Sequence, residues 1–292
     1  MRVTIINVGY GDAILVQSEN GYTALLDGGS ALPGEFQGDP YRIPGAAYLQ
    51  AQGIHHLDAL LISHIHEDHV CGLEPILRQV TVGQLFVPYP LEPFLAGKEV
   101  QPGPDAPRSV PLYTNALNAY RRIVLSALEK EVPVTVLKAG DAVELTHGLD
   151  MQVLAPKADV TERYLSLVEQ LYQTADETLA TKLLGQLDGM SNQTSLLLRF
   201  QMDGCVFLAA ADSCPREWEE IPKNLLENVN VLKLPHHGQI DSISELFMGK
   251  MPLTHVITTS ASDRRYNSAN PAVYQRLAAM YPADRQPRFL FS

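Results

Sequence analysis

The segment His64-Ile65-His66-Glu67-Asp68-His69 sets four potential metal ligands, His64, His66, Asp68 and His69, within six residues. It leaves Leu57–Ser63 (LDALLIS), an apolar run that predicts a strand buried on both faces. If that strand persists, His64 and His66 share one side, because side chains alternate along a strand. Asp68 and His69 fall in the turn to the next helix and face a second point nearby. Imidazole and carboxylate together suit zinc, manganese or iron. A lone histidine is most often a solvated surface residue. Four ligands at the exit of a buried strand point to metal instead.

Three more strand ends carry residues of the same kind. Asp27 closes Thr23–Asp27 (TALLD), Asp212 follows Ala210-Ala211, and His236-His237 follow Leu234-Pro235. Each alone reads as a turn or cap residue. Together they repeat one arrangement, an apolar strand and then a ligand, and four such ends on one edge of a sandwich would enclose one polar cavity. Which of His236 and His237 turns inward stays open. Five of the nine histidines lie in these motifs; His55, His56, His147 and His255 read as surface or packing residues.

The elements that must position these residues follow from periodicity. Val3–Val8, Asp12–Gln17 and Tyr22–Leu26 predict a strand meander with Glu19-Asn20-Gly21 as a hairpin turn. Helices are expected near 46–52, 71–78, 115–130, 217–228, 243–248 and 272–280. Strands are expected near 84–87, 134–137, 142–145, 150–154, 194–200, 206–210, 230–234, 255–259 and 288–291. Residues 88–112 contain seven prolines and read as a long irregular connection that rims the cleft. Residues 159–187 read as a helical insertion whose stripe is Leu165, Val168, Leu171, Leu179, Leu183 and Leu184. The order predicts an α/β fold, a four-layer αββα sandwich forming one domain over 1–292. The insertion would serve as a lid, a dimer arm or a surface for a protein partner. The last strand stands close to the chain's end, so a longer parent protein is an expectation.

Composition narrows the partners. Lys plus Arg is 22 and Asp plus Glu is 33, a formal charge of −11. That balance disfavours a coating protein for duplex nucleic acid, which needs a basic face. It permits phosphoester cleavage if cations sit in the cleft. Three scattered cysteines without a Cys-x-x-Cys pair argue against a disulfide framework. No signal-peptide layout and no apolar run of membrane-spanning length is present, so a reducing, cytoplasmic home without membrane contact is expected. Gly9-Tyr10-Gly11 lacks the third glycine of a dinucleotide loop.

The histidine segment after its strand resembles the HxHxDH signature of the metallo-β-lactamase superfamily. NVGYGDAILV, LLDGG, LISHIHEDHVCGL, VFLAAADS and LKLPHHG resemble the metallo-hydrolase domain of the ComEC-type competence proteins. The resemblance implies the αββα fold and a hydrolase with one or two divalent ions, zinc or manganese. It assigns His64 and His66 to a first ion, Asp68 and His69 to a second, and Asp212 to a bridge. One of His236 and His237 would complete the second site, and Asp68 would also accept a hydrogen bond from the attacking water. Asp27 would orient a ligand histidine. The superfamily's further histidine is replaced here by Ser191-Asn192-Gln193-Thr194, leaving the first site to water or to Asn192. Extra histidines of ComEC-type chains are absent from Arg265–Pro271, where Arg265 and Tyr266 are candidate substrate contacts.

The reading that follows is a phosphodiesterase or nuclease acting on a nucleotide or on single-stranded nucleic acid. Its rivals are a metallo-hydrolase of carboxylic esters, thioesters or lactams, and a non-catalytic partner-binding module on the same fold.

Overall fold

The computed structural model describes residues 1–292. Two sheets face each other and helices cover both outer faces, the four-layer arrangement that the element order predicts. The first sheet holds β1 (Arg2–Ile5), β2 (Ile14–Gln17), β3 (Thr23–Leu26), β4 (Ala59–Leu61), β5 (Leu85–Val87) and β6 (Val134–Val136), side by side in chain order. β1 to β3 pair antiparallel and β3 to β6 parallel. The second sheet holds β7 (Ala142–Thr146), β8 (Leu149–Ala155), β9 (Leu197–Met202), β10 (Cys205–Ala209), β11 (Val231–Lys233), β12 (His255–Thr258) and β13 (Arg288–Phe291). β7 to β10 are antiparallel and β10 to β13 parallel. Each half is therefore a meander followed by parallel strands, a pseudo-symmetry that the residues themselves do not display.

Alternation along the strands explains the layers. Leu26, Leu61 and Phe86 of the first sheet meet Val153, Leu198, Phe207 and Ala209 of the second in the central layer. Their neighbours Leu25, Leu60 and Leu85 point outward into a helical layer. Leu197, Leu208, Leu232 and Val256 do the same on the far side, against Trp218, Phe247 and Leu277. Strands buried on both faces read as unbroken apolar runs, which is why LDALLIS and its counterparts were legible.

The helices are α1 (Gly45–Ala51), α2 (Glu67–Val70), α3 (Leu73–Leu77), α4 (Glu92–Ala96), α5 (Ser109–Glu129), α6 (Ala158–Gln173), α7 (Glu177–Ser191), α8 (Glu245–Met248) and α9 (Pro271–Ala279). Three expectations need correction. The insertion over 159–187 is two helices, because Asp176 accepts from the backbone N–H groups of Thr178 and Leu179 and starts a new helix after Thr174. The helix expected over 217–228 is two short 3-10 turns, Pro215–Trp218 and Lys223–Leu225; Pro222 between them has no N–H to continue a helix. The proline-rich 88–112 segment is not wholly irregular, since it contains α4 and the start of α5.

The insertion's apolar face is covered by the chain itself. Tyr164, Val168 and Leu171 of α6 and Leu183, Leu184 and Leu187 of α7 join the first helical layer, while Leu179 stays exposed. No helix is long and apolar enough to cross a membrane.

Candidate metal centre

Parallel strands put their carboxyl ends on one edge, and the loops leaving that edge converge. β3, β4, β10 and β11 deliver, in turn, Asp27, the 63–69 segment, Asp212 and His237. The turns are tight. The backbone is left-handed at Asp27 (φ 58°), Ala211 (φ 44°), His236 (φ 47°) and His237 (φ 52°). Each such residue costs on the order of 1–3 kcal/mol and persists only where its surroundings fix it. Here Gly28 donates from its N–H to the His69 carbonyl at 2.8 Å, and His236 to the Ala211 carbonyl at 3.0 Å. Two glycines allow the loops to touch. A Cβ on Gly11 would stand 2.2 Å from the Asp68 carbonyl oxygen, and one on Gly72 would stand 2.0 Å from that of Gly28.

Four ligand atoms surround one point. His69 Nε2 lies 3.6 Å from Asp68 Oδ2 and 3.4 Å from Asp212 Oδ1. His237 Nε2 lies 3.0 Å from the same Asp68 oxygen and 3.3 Å from the same Asp212 oxygen. Ligands about 2.0–2.1 Å from a tetrahedral cation stand roughly 3.3 Å apart. His69 Nε2, His237 Nε2 and Asp212 Oδ1 are buried without a hydrogen-bond partner. Buried polar atoms are normally satisfied, so three orphans facing one point are a donor set that fits a divalent ion.

The ring nitrogens turned away from this point are held from behind. His69 Nδ1 is 2.8 Å from Asp27 Oδ2, and Asp27 also accepts from the Ser63 N–H at 2.8 Å and the Ser63 hydroxyl at 2.6 Å. His237 Nδ1 donates to the Thr259 carbonyl at 2.7 Å. The Thr259 hydroxyl donates to Asp12 Oδ1 at 2.5 Å, and Asp12 Oδ2 lies 2.6 Å from Lys233 Nζ, which also donates to the Ala211 carbonyl at 2.9 Å. Asp12 and Lys233 are fully buried. Fixing the far nitrogen sets the tautomer and aims the near one.

A second pair of nitrogens stands beside the first group. His64 Nε2 and His66 Nδ1 face each other at 3.1 Å, a spacing at which both can hold one cation. Asp212 Oδ2 is 3.8 Å from His64 Nε2, so the two oxygens of Asp212 face the two groups. Asn192 lies at the cleft with its Nδ2 3.2 Å from His236 Nε2.

Charge within the cluster is strongly shifted. Burial, with His69 and His66 nearby, drives His64 well below the ordinary histidine range, leaving a neutral imidazole. Burial opposes charge on His69, but Asp212 and Asp68 outweigh it and raise the group. Burial also opposes charge on Asp68, yet His69 and His237 hold it below the usual carboxylate range. A bound cation would displace the proton that His69 carries between those two carboxylates.

Of the histidine pair, it is His237 that turns inward. Two consecutive left-handed residues send the rings apart, and His236 sits in the cleft wall instead. Its Nδ1 is 3.2 Å from Asp241, and Cys214 lies within reach of both. Arg265 does not present a free guanidinium: it is paired with Glu35 and, at 2.9 Å, with Asp263. Tyr266 is 59% exposed, its ring edge-on to Tyr10 at 5.2 Å, and Tyr10 packs on His237 at 4.4 Å. The cleft over the cluster measures about 790 Å³, and its walls include Tyr10, Asp68, Arg108, Asp212, His236 and Tyr266.

Sequence reasoning missed Asp12, Lys233 and Asp188, which stands beside His66. Lys233 had a signal: a lysine inside the apolar run VLKL needs a buried carboxylate, and Asp12, between Gly11 and AILV, is the one it finds. Asp188 had none, being one polar residue among many on a helix. His55, His56 and His147 are exposed and His255 half-buried, all away from the centre.

Residues 6–150 match the model of the metallo-beta-lactamase superfamily. ComE operon protein 3 of Bacillus subtilis (strain 168) is 24% identical over 292 residues; the match covers 94% of this chain but 30% of that protein. Anti-Pycsar protein Apyc1 of Saccharibacillus brassicae is 26% identical over 212 residues, covering 71% of this chain and 78% of that one. Among solved structures, a variant of the CmlA beta-hydroxylase superposes with a TM-score of 0.54 at 13% identity, over 100% of this chain and 52% of that one, a likeness of fold. The family model covers the histidine segment, and beyond its end Asp212 and His237 join the same centre. On these grounds the chain is similar to the metallo-beta-lactamase superfamily over residues 6–150 and carries a four-layer fold of that kind.

Proposed function

We propose that this chain hydrolyses phosphoester bonds, on a nucleotide or a short single-stranded nucleic acid, with one or two zinc or manganese ions. The reading is carried by one observation: orphaned ligand atoms in tetrahedral spacing lie at the floor of an open cleft. Asp68, His69, Asp212 and His237 would hold one ion, and His64, His66 and Asp212 the other. Such ions supply a water with its pKa lowered to about 7 and offset charge growing on a phosphoryl oxygen.

The chain's own groups do the rest. Asp68, held ionised and open to the cleft, accepts a hydrogen bond from the attacking water and orients it. Tyr10 and Tyr266 offer an aromatic wall on which a base can stack. Arg108 lines the cleft for a phosphate, whereas Arg265, tied to Glu35 and Asp263, fixes the turn that carries Tyr266. The phosphoester preference rests on the ComEC-type motifs, and the net charge of −11 favours small or short substrates over duplexes.

The test is a panel of bis-p-nitrophenyl phosphate, cyclic nucleotides, oligonucleotides, a thioester and nitrocefin, each with added manganese or zinc. Turnover of the phosphoesters that Asp68→Ala abolishes supports the proposal. Turnover of nitrocefin or the thioester alone replaces it with the acyl-hydrolase reading. A folded chain that takes up neither ion rejects the metal chemistry altogether.

A further inference from the structure

We infer that the helical insertion completes the first ion site: Asp188 of α7 is a positioning residue that holds the Nε2 edge of His66 so that Nδ1 is aimed at the ion. The inference rests on the metal-centre reading above and extends it to a residue outside every strand-end motif.

Imidazole has its two nitrogens on different edges. His66 turns Nδ1 toward His64 Nε2, at 3.1 Å, and Nε2 away from it. That second nitrogen meets α7, 3.3 Å from the Asp188 carbonyl oxygen and 3.4 Å from its carboxylate Oδ1. Both atoms are acceptors, so both select the tautomer with hydrogen on Nε2 and a lone pair on Nδ1. The last turn of a helix leaves carbonyls without partners inside the helix and carries partial negative charge, which favours an N–H donor there. Asp188 lies in that last turn.

The contact is built from two sides. One helical turn on, the Ser191 hydroxyl donates to the Ile65 carbonyl at 2.8 Å, so positions 188 and 191 of one face grip the His64-Ile65-His66 segment together. Tyr113 of α5 stands edge-on to the His66 ring at 6.1 Å and is hydrogen-bonded to Tyr164 of α6. α5 and α7 thus meet at this ring, and α6 backs Tyr113. His69 and His237 are fixed from within the strand-end loops, by Asp27 and Thr259. His66 receives the equivalent support from the insertion.

The test uses cobalt(II) chloride as the probe. Equilibrium dialysis should find two ions on the wild-type chain. Asp188→Asn and Asp188→Ala should weaken one ion about 10- to 100-fold, the usual cost of removing a carboxylate behind a ligand histidine. The other ion should keep its affinity, and Asp188→Glu should restore part of the loss. An independent readout is the ¹⁵N spectrum of His66 in the metal-free protein, where wild type should show hydrogen on Nε2 and Asp188→Ala a mixture of tautomers. Thermal melts identify variants that have lost the fold, and Asp188→Asn, which keeps the side-chain volume, serves if the alanine variant unfolds. Two ions of unchanged affinity in a folded Asp188→Asn overturn this inference and leave the metal reading standing. A single ion, lost in His237→Ala and untouched in Asp188→Asn, also overturns it. A wild-type chain that binds no cobalt rejects both.

Discussion

The two ligand groups of this centre are built differently. The one around His69 and His237 is sealed: both imidazoles, Asp12, Asp27 and Lys233 are buried, and every outer nitrogen has a buried acceptor from the strand-end loops. The one around His64 and His66 is half open. His66 is partly exposed, residues 191–194 hold no histidine, and the support comes from a helix inserted between β8 and β9. A sealed site holds its geometry without an ion present. An open one depends on peripheral parts, can admit water or substrate as a ligand, and tolerates change more readily.

The largest effect expected from breaking this contrast is at Asp212, which faces both groups. Asp212→Ala should remove both ions, seen by elemental analysis, and take hydrolysis to background. Lys233→Met strikes the sealed side alone. It leaves Asp12 buried without its cation, and breaking a buried pair costs about 3–5 kcal/mol. Denaturant melts should show that loss, whereas a change within experimental scatter would mean the pair is not structural. Asp27→Asn keeps the volume but weakens the grip on His69, so metal affinity should fall about 10- to 100-fold with only one ion affected.

A pH effect separates the wall of the cleft from its floor. Glu67 donates nothing to the ligand set; it accepts from Ser30 and Ala31, and burial lifts it to about 7 against the opposing hydrogen bond from Ser30. The folded chain then holds that proton more tightly than the unfolded one, so stability falls as pH rises from about 4.5 to about 7, by on the order of 3 kcal/mol at most. Glu67→Gln should therefore gain stability relative to wild type at pH 8 and not at pH 4, read from paired thermal melts. The smallest effect belongs to His147, whose side chain is fully exposed: His147→Gln should leave the thermal midpoint within experimental scatter of wild type.

Much of the candidate centre was legible because its proposed ligands are local. His64, His66, Asp68 and His69 are neighbours in sequence, and Asp27, Asp212 and the 236–237 pair each end an apolar run. The sandwich was legible for the same reason: strands buried on both faces cannot hide their apolar runs. The helix misread over 217–228 shows the limit, since Pro222 breaks a pattern whose hydrophobic spacing is sound. The insertion shows another. Its stripe predicts packing, but not against what, and the chain's own α5 lies across α7.

Residue types and their order along the chain determined which atoms were available as ligands and that strand ends would carry them, because both follow from local spacing. Only the tertiary structure decided that His237 and not His236 faces inward, that Lys233 meets Asp12, and that Asp188 meets His66. Those are contacts between segments as much as 221 positions apart, as between residues 12 and 233. Backbone handedness at a turn and the docking of one loop on another settle them, and neither is encoded in the spacing of side chains within a single segment.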